Sequence, residues 1–397
     1  MIVGVPRESY PGERRVALVP AVLGNLAKAG LQVLLESGAG TAAGYLDSEY
    51  SDKGAKIVGT RAEVFSEADI IAQVLCNGAN DLTGSADSPL LKNGQTLIGF
   101  LRPFGSRETL QEVANTGVTS FSVELMPRTT RAQSMDALSA MSTLSGYKAA
   151  VLAAETLPRI FPMLTTAAGT ITPGRVLIIG VGVAGLQAIA TARRLGAVVS
   201  AYDVRPAAKE QVLSLGARFV ELPIEATDAQ DARGYATAQG EEFYRRQREL
   251  LGDAVAANDV VITTAVIPGK KAPTLVTKEM VARMTPGSVI VDLASERGGN
   301  CELTKCGEII VEHNVTIIGL HNLASSVPFH ASQMYARNLS AFLLNLVKDG
   351  KVQFNEADEI HRETLLTRGG EIVNPRVREF LGLPALAPES KNETKGA

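Results

Sequence analysis

The chain has 397 residues, 45% hydrophobic and 20% charged, with a formal charge of −3 at pH 7. That length exceeds one ordinary core, and the composition is that of a folded globular protein, not a disordered or fibrous one. Its 39 Lys and Arg are interleaved with 42 Asp and Glu, which excludes the basic field that a nucleic-acid partner needs.

Cys76, Cys301 and Cys306 form no CxxC pair, which suits unpaired thiols in a reducing compartment. The N-terminal MIVGVPRESYPGERR lacks the apolar core of a signal peptide, and no stretch reaches the roughly 18 to 20 apolar residues of a membrane span. A cytoplasmic chain with no direct membrane insertion is expected.

In chain order, strand signals fall at 1–5, 31–37, 70–75 and 96–100, with helical patterns at 20–30 and 107–117. This rhythm predicts repeated βα units on a mainly parallel sheet. Then comes a polar knot, Arg128-Thr-Thr-Arg-Ala-Gln-Ser-Met-Asp136, between apolar segments. After it, Leu138, Met141, Leu144, Tyr147, Val151, Ala154 and Leu157 recur at three- or four-residue spacing. That spacing predicts one long amphipathic helix, able to strap two domains together.

Residues 174–325 restart the alternation. GRVLIIG, AVVSAYD, ARFVEL, DVVITTA, GSVIVDLA and NVTIIGL read as six strands, with helices over 183–196 and up to Gly216. Six strands in this rhythm predict a complete doubly wound sheet. The polar stretch 221–245 is too long for an αβ connection of about 2 to 6 residues, and is expected to be a mobile functional loop. FHASQMYARNLSAFLLNLVKDG is helical again and returns the chain to the first domain, while PALAPESKNETKGA reads as a disordered tail. The expectation is an α/β protein with two Rossmann-like domains: a discontinuous one, 1–138 plus 329–397, and a second at 139–328.

The second domain carries Gly180-x-Gly182-x-x-Gly185 directly after a strand and opening a helix. Gly180 suits a tight turn, Gly182 lets backbone approach a diphosphate, and Gly185 allows close helix-to-strand packing. Helix N–H groups and the positive end of the helix dipole then face the phosphates. Asp203 ends the next strand, 18 residues after Gly185, where a carboxylate can accept both hydroxyls of an adenosine ribose. It would repel a 2′-phosphate and so favours NAD(H) over NADP(H), although Arg205 nearby could accommodate one. The segments 263–273, 293–300 and 320–326 are further lips of this site, with Thr264, Ala265 and Val266 small enough for the dinucleotide to lie flat.

A dehydrogenase acting on an alcohol or amine moves a proton as well as a hydride, and needs an acid or base near the nicotinamide. Of four histidines, only His321 falls at the site's edge. No catalytic triad, metal cluster or P-loop appears. Transfer between two nicotinamides exchanges no proton at the reacting carbons, and needs only that the two rings be aligned at about 3 to 3.5 Å. The polar knot supplies placement groups of that kind. The plainer alternative is that Ser134 or Asp136 only caps the following helix.

RAQSMDALS, TAAGTITPGRVLIIGVGVAGLQAIATARRLGAVVSAYDVR, GYATAQGEEF, ITTAVIPGKKAP and PGSVIVDLASERGGNCEL resemble the NAD(H)-binding α component of proton-translocating NAD(P) transhydrogenases. The resemblance runs from residue 1 to about residue 345, within a wider family that includes alanine dehydrogenase, with which GVPRE…ERRVALVP is shared. It implies that the chain binds NADH and passes hydride to NADP(H) chemistry on a partner component, coupled to proton movement through a membrane component. It implies further that the chain forms a homodimer, peripheral on the cytoplasmic face of the inner membrane through its partners.

Carried over by resemblance, Arg128, Gln133 and Asp136 are the placement loop, with Ser134 and Met135 between them and Ser139 beside them. Gln133 would hold the nicotinamide ribose, and Arg128 and Asp136 the carboxamide. Val183 and Ala184 in the glycine turn, with Asp203, Val204 and Arg205, match the diphosphate and adenosine-ribose positions. Gly234 and Tyr235 match a loop closing over the nucleotide, and Gln247 and Val266 complete the set.

Alanine dehydrogenases are expected to carry a lysine where this chain reads IIAQVLCNG and a histidine where Arg102 stands; both are absent, and Glu296 takes the place of their active-site aspartate. An amino-acid dehydrogenase and a non-enzymatic NAD sensor are the two rival readings.

Overall fold

The computed structural model describes residues 1–223, 237, 239–267, 269–348 and 350–386. Two compact units divide it: Met1–Ala137 with the chain from Ser332 onward, and Leu138–Ala331.

In the first unit, β1 (Ile2–Val5), β2 (Gln32–Glu36), β3 (Lys56–Val58), β4 (Ile70–Leu75), β5 (Thr96–Phe100) and β6 (Thr119–Ser122) are parallel, in the order β6-β5-β4-β1-β2-β3. β4 and β5 are apolar and buried almost throughout, as strands covered on both faces must be. Chain order reverses between β1 and β4.

Two late strands, Leu365–Arg368 and Glu371–Ile372, extend the sheet antiparallel beyond β6, so the first unit is discontinuous in sequence. The buried Ser120 and Thr367 hydroxyls meet at 2.7 Å and pin that join. The helix Pro328–Leu346 brings the chain back; within the unit, its Tyr335 hydroxyl donates to the Gln73 carbonyl (2.8 Å).

In the second unit, an exposed hairpin, β7 (Leu164–Thr166) and β8 (Gly169–Ile171), precedes the main sheet. Its sheet comprises β9 (Arg175–Ile179), β10 (Val198–Tyr202), β11 (Arg218–Phe219), β12 (Val260–Thr263), β13 (Val289–Asp292), β14 (Ile309–Glu312) and β15 (Val315–Ile318), in the order β11-β10-β9-β12-β13-β15-β14. Alternate residues of β9 serve two cores. Val176 and Ile178 pack with Ala188 and Ile189 of the helix Val183–Arg194, while Leu177 and Ile179 pack with Leu251 and Val255 of the helix Glu241–Ala256. That is the doubly wound arrangement expected, with its switch point between β9 and β12.

The sheet has seven strands where the sequence patterning predicts six. β14 runs antiparallel to β15 through a two-residue turn at His313 and Asn314, both at positive φ (51° and 59°). His-Asn carries a weaker hairpin signal than Asn-Gly, so the turn reads as an ordinary polar stretch. The expected loop 221–245 is also shorter than predicted, because Glu241 already begins a helix.

The long helix is present over Ala137–Thr156, but it buries a different face. Ala140, Met141, Ala149, Ala150 and Ala153 are buried, while Tyr147 is exposed and Leu138, Leu144 and Val151 are half-buried. Small residues win because the backbone comes close: a Cβ on Gly146 would overlap the Ala184 carbonyl. Gly146→Ala gains about 1 kcal/mol of helix propensity. The overlap is with backbone and cannot be relieved by a rotamer change, so the net expectation is a loss of about 1 to 3 kcal/mol in urea unfolding.

Candidate functional site

The glycine turn lies at the switch point of the second unit. Gly180 follows β9 with φ 96°, and a Cβ there would lie 2.8 Å from Thr264 Oγ1 and 3.0 Å from the Ala265 nitrogen. A Cβ on Gly185 would overlap the Gly180 carbonyl oxygen. Gly182, the residue before the helix Val183–Arg194, has nothing within 4 Å of where its Cβ would point. One glycine makes the turn, one packs, and one faces open space before a helix N-terminus that begins with Val183 and Ala184. The cradle fits the diphosphate of a dinucleotide.

Asp203, just past β10, belongs to this turn. Its Oδ2 accepts the Val181 N–H (2.7 Å) and its Oδ1 the Arg205 N–H (2.8 Å). The Arg205 guanidinium forks onto the same carboxylate, Nε to Oδ1 at 2.9 Å and Nη2 to Oδ2 at 2.8 Å, and Nη2 also donates to the Val181 carbonyl. A carboxylate has about four acceptor positions, and all four are occupied. A further donor therefore reaches Asp203 only when the Arg205 fork swings away. Arg205 is a competitor for the acid, a relation that residue spacing alone does not disclose.

The opposite lip, Thr264 to Val266, is held from behind. Thr264 Oγ1 donates to the Gly180 carbonyl (2.8 Å). The fully buried Asn300 grips Ala265 at two points, accepting its N–H (3.0 Å) and donating to its carbonyl (2.8 Å), and donates also to the Pro273 carbonyl. Asn300 is fixed in turn by Asp292, which accepts the Asn300 and Cys301 N–H groups and the Thr263 and Thr304 hydroxyls. The Gly-Gly-Asn run marked this segment as a lip but gave no sign of the brace. Val266 projects into solvent at 38% exposure.

Gln247 is 1% exposed and donates to the Tyr202 hydroxyl at 2.9 Å, while its own Oε1 has no hydrogen-bond partner among the described residues. An orphaned buried acceptor costs free energy unless a donor reaches it. Burial pushes the Tyr202 hydroxyl up to about 12, so it stays protonated. Val204 packs at the edge of the adjoining core. Gly234 and Tyr235 lie outside the described residues.

In the first unit the polar knot is a 3₁₀ turn, Thr130–Met135. Ala132 and Met135 are buried, Arg128, Gln133 and Ser134 are exposed, and Asp136 is half-buried just before the helix that starts at Ala137. Ser139, in the first turn of that helix, belongs to the second unit and is half-buried.

At the carboxyl ends of β1, β4 and β5, where an amine-oxidising site would need its acid and base, other residues stand. Gln73 is buried and donates to Asp87. Arg102 pairs with Asp81 at 2.9 Å, and Arg15 forks onto Glu13 inside the unit. Glu8 accepts the Val74 and Leu75 N–H groups at 2.7 and 3.0 Å; burial, then the nearby Glu13, push its carboxyl up to about 8 against the pull of those N–H groups and Arg61. His321 is half-buried and Glu296 accepts the Asn322 N–H.

Residues 4–145 match the family model "Alanine dehydrogenase/PNT, N-terminal domain", and 149–375 match "Alanine dehydrogenase/PNT, C-terminal domain". The chain is 46% identical over 378 residues to the first part of the NAD(P) transhydrogenase alpha subunit of Rhodospirillum rubrum, covering 94% of this chain and 98% of that protein. A crystal structure of transhydrogenase from Sinorhizobium meliloti is similar with a TM-score of 0.83 at 43% identity, covering 94% and 100% of the two chains. Alanine dehydrogenase of Mycobacterium tuberculosis is 30% identical over 397 residues, covering 98% and 99%.

Asp203→Ala should weaken NADH binding about tenfold in a fluorescence titration, and reduce the preference for NADH over NADPH. Glu8 sets a pH dependence of stability. Its pKa is raised on folding, so its contribution is complete below the unfolded value of 4.5 and is lost as the pH rises through about 8. Melting temperatures across that window should fall with rising pH, and Glu8→Gln should flatten the slope.

Proposed function

The chain belongs to the alanine dehydrogenase/PNT family, and we propose that within it this protein is the NAD(H)-binding subunit of a NAD(P) transhydrogenase. It presents NADH to NADP+ held on a partner subunit, and the exchange is coupled to proton translocation through a membrane-embedded partner. The observation that carries this reading is a dinucleotide cradle in a chain whose first unit has no lysine between Lys56 and Lys92 and has Arg102 where an amino-acid dehydrogenase is expected to carry a histidine.

Bound NADH supplies a hydride from its nicotinamide ring. The chain's own residues bind and place it. The turn at Gly180 to Gly185 receives the diphosphate, Asp203 receives the adenosine ribose once Arg205 yields, and the orphaned Gln247 Oε1 accepts a hydrogen bond from the ligand. Gln133 holds the nicotinamide ribose, Arg128 and Asp136 fix the carboxamide, and Ser139 adds a hydroxyl. No side chain needs to take a proton from a reacting carbon, and placement alone accounts for the rate.

Among the described residues no helix is long and apolar enough to cross a membrane. Attachment to the cytoplasmic face of the inner membrane then falls to the partner subunits. Self-pairing into a homodimer has support in the hairpin β7–β8, a two-stranded element with Leu164 and Ile171 exposed that is marginal by itself.

The test mixes this chain with its NADP-binding partner and follows reduction of an NADP+ analogue by NADH in a single turnover. Gln133→Asn should slow that step about tenfold or more while NADH affinity changes far less. Absence of transfer by the unaltered pair would reject the reading.

A further inference from the structure

We propose that Asp358 and Asn338 are positioning residues for hydride transfer, holding the loop Arg128 to Asp136 from behind through Arg131 and the Ser134 carbonyl. The inference rests on the function just proposed and deepens it. Within the first unit, Arg131 forks onto Asp358, Nη1 to Oδ2 at 2.8 Å and Nη2 to Oδ1. Asn338 donates from Nδ2 to the Ser134 carbonyl at 2.8 Å. The two tethers fall on either side of Gln133.

The loop needs them. A 3₁₀ turn has poorer hydrogen-bond geometry than an α-helix and does not set its own orientation firmly. Ala132 and Met135 anchor it inward, but Arg131 forms one wall of a polar cavity of about 550 Å³, shared with Asp358, Lys348, Phe354, His361 and Arg368. On that side an ion pair takes the place of apolar packing.

Asp358 is itself well fixed. Its Oδ1 accepts the Ile360 N–H at 2.9 Å and so caps the helix Glu359–Thr364, and its own N–H donates to the Asn355 carbonyl. Arg131 chiefly, aided by the Ile360 N–H, pulls its carboxyl down to about 2, so the pair is charged at neutral pH. The brace reaches the loop from 227 residues away in sequence.

Placement chemistry makes such a brace consequential. A reacting ring displaced by about 1 Å can cost as much as a hundredfold in rate. A pair with an exposed Arg131 and a half-buried Asp358 restrains its loop only modestly, so the expected effect is smaller, about three- to tenfold.

Asp358→Asn is the informative variant, because Asn caps a helix as well as Asp and the capped helix should survive while the charged fork is lost. Asn338→Leu removes the second tether without adding bulk. With the partner subunit and saturating NADH, each should slow single-turnover transfer to an NADP+ analogue about three- to tenfold, with NADH affinity within about twofold of the unaltered chain and an unchanged unfolding midpoint. Transfer at the unaltered rate in both variants would overturn the proposal. So would a loss of NADH affinity or stability in step with the rate, which would mark the contacts as structural. Absence of transfer by the unaltered chain would reject the subunit reading and this one with it, whereas normal transfer by the unaltered chain and both variants alike rejects only the tethers.

Discussion

The second unit depends on a close backbone approach around Gly180. Its carbonyl lies where a Cβ on Gly185 would sit and accepts the Thr264 hydroxyl at 2.8 Å. No side chain larger than hydrogen fits at either glycine, so the turn after β9, the helix that follows and the segment after β12 are locked together. At the switch point the connections that follow β9 and β12 leave toward opposite faces of the sheet and open a crevice between them. The lock brings Val181 to Asp203, and the Asn300 brace then sets Ala265 beside it. Gly146 repeats the device one layer out, letting the long helix run against the Ala184 backbone.

The two units divide the chemistry unequally. The second has a glycine cradle, a carboxylate occupied by Arg205 and a buried amide oxygen with no partner among the described residues. The first retains a Rossmann-like sheet, but its strand ends are filled by internal pairs: Arg15 with Glu13, Arg61 with Asp87, Gln73 with Asp87. Such pairs engage these side chains with one another, and Glu8 beside them is held by the Val74 and Leu75 N–H groups. On the function proposed above, the first unit's contribution to the transfer is the loop at Arg128 to Asp136.

Much of this was legible in the sequence because burial on both faces writes itself as apolar runs: IIAQVL and TLIGF are strands over the residues expected. Asp203 and the three glycines were legible because their spacing follows from how a strand, a turn and a helix must close on a phosphate. Short strands decided by distant pairing were not: Thr119–Ser122 meets Leu365–Arg368 through Ser120 and Thr367, and neither segment has a period of its own. The long helix was read onto its bulky face, whereas close backbone contact buried its alanines. Arg205 on Asp203, Asn300 on Ala265 and Asp358 on Arg131 escaped for one reason. A polar side chain declares its type in a sequence but not its partner.

On the function proposed here, hydride passes directly between two nicotinamides, with this chain supplying placement and no acid or base. The most direct measurement gives the chain and its NADP-binding partner NADH carrying deuterium at both positions of nicotinamide C4, and follows the label by mass spectrometry. The expected result is one deuterium retained in each NADPH formed, with no amino acid required. Loss of the label to water, or reduction that proceeds only when an amino acid is supplied, would contradict it.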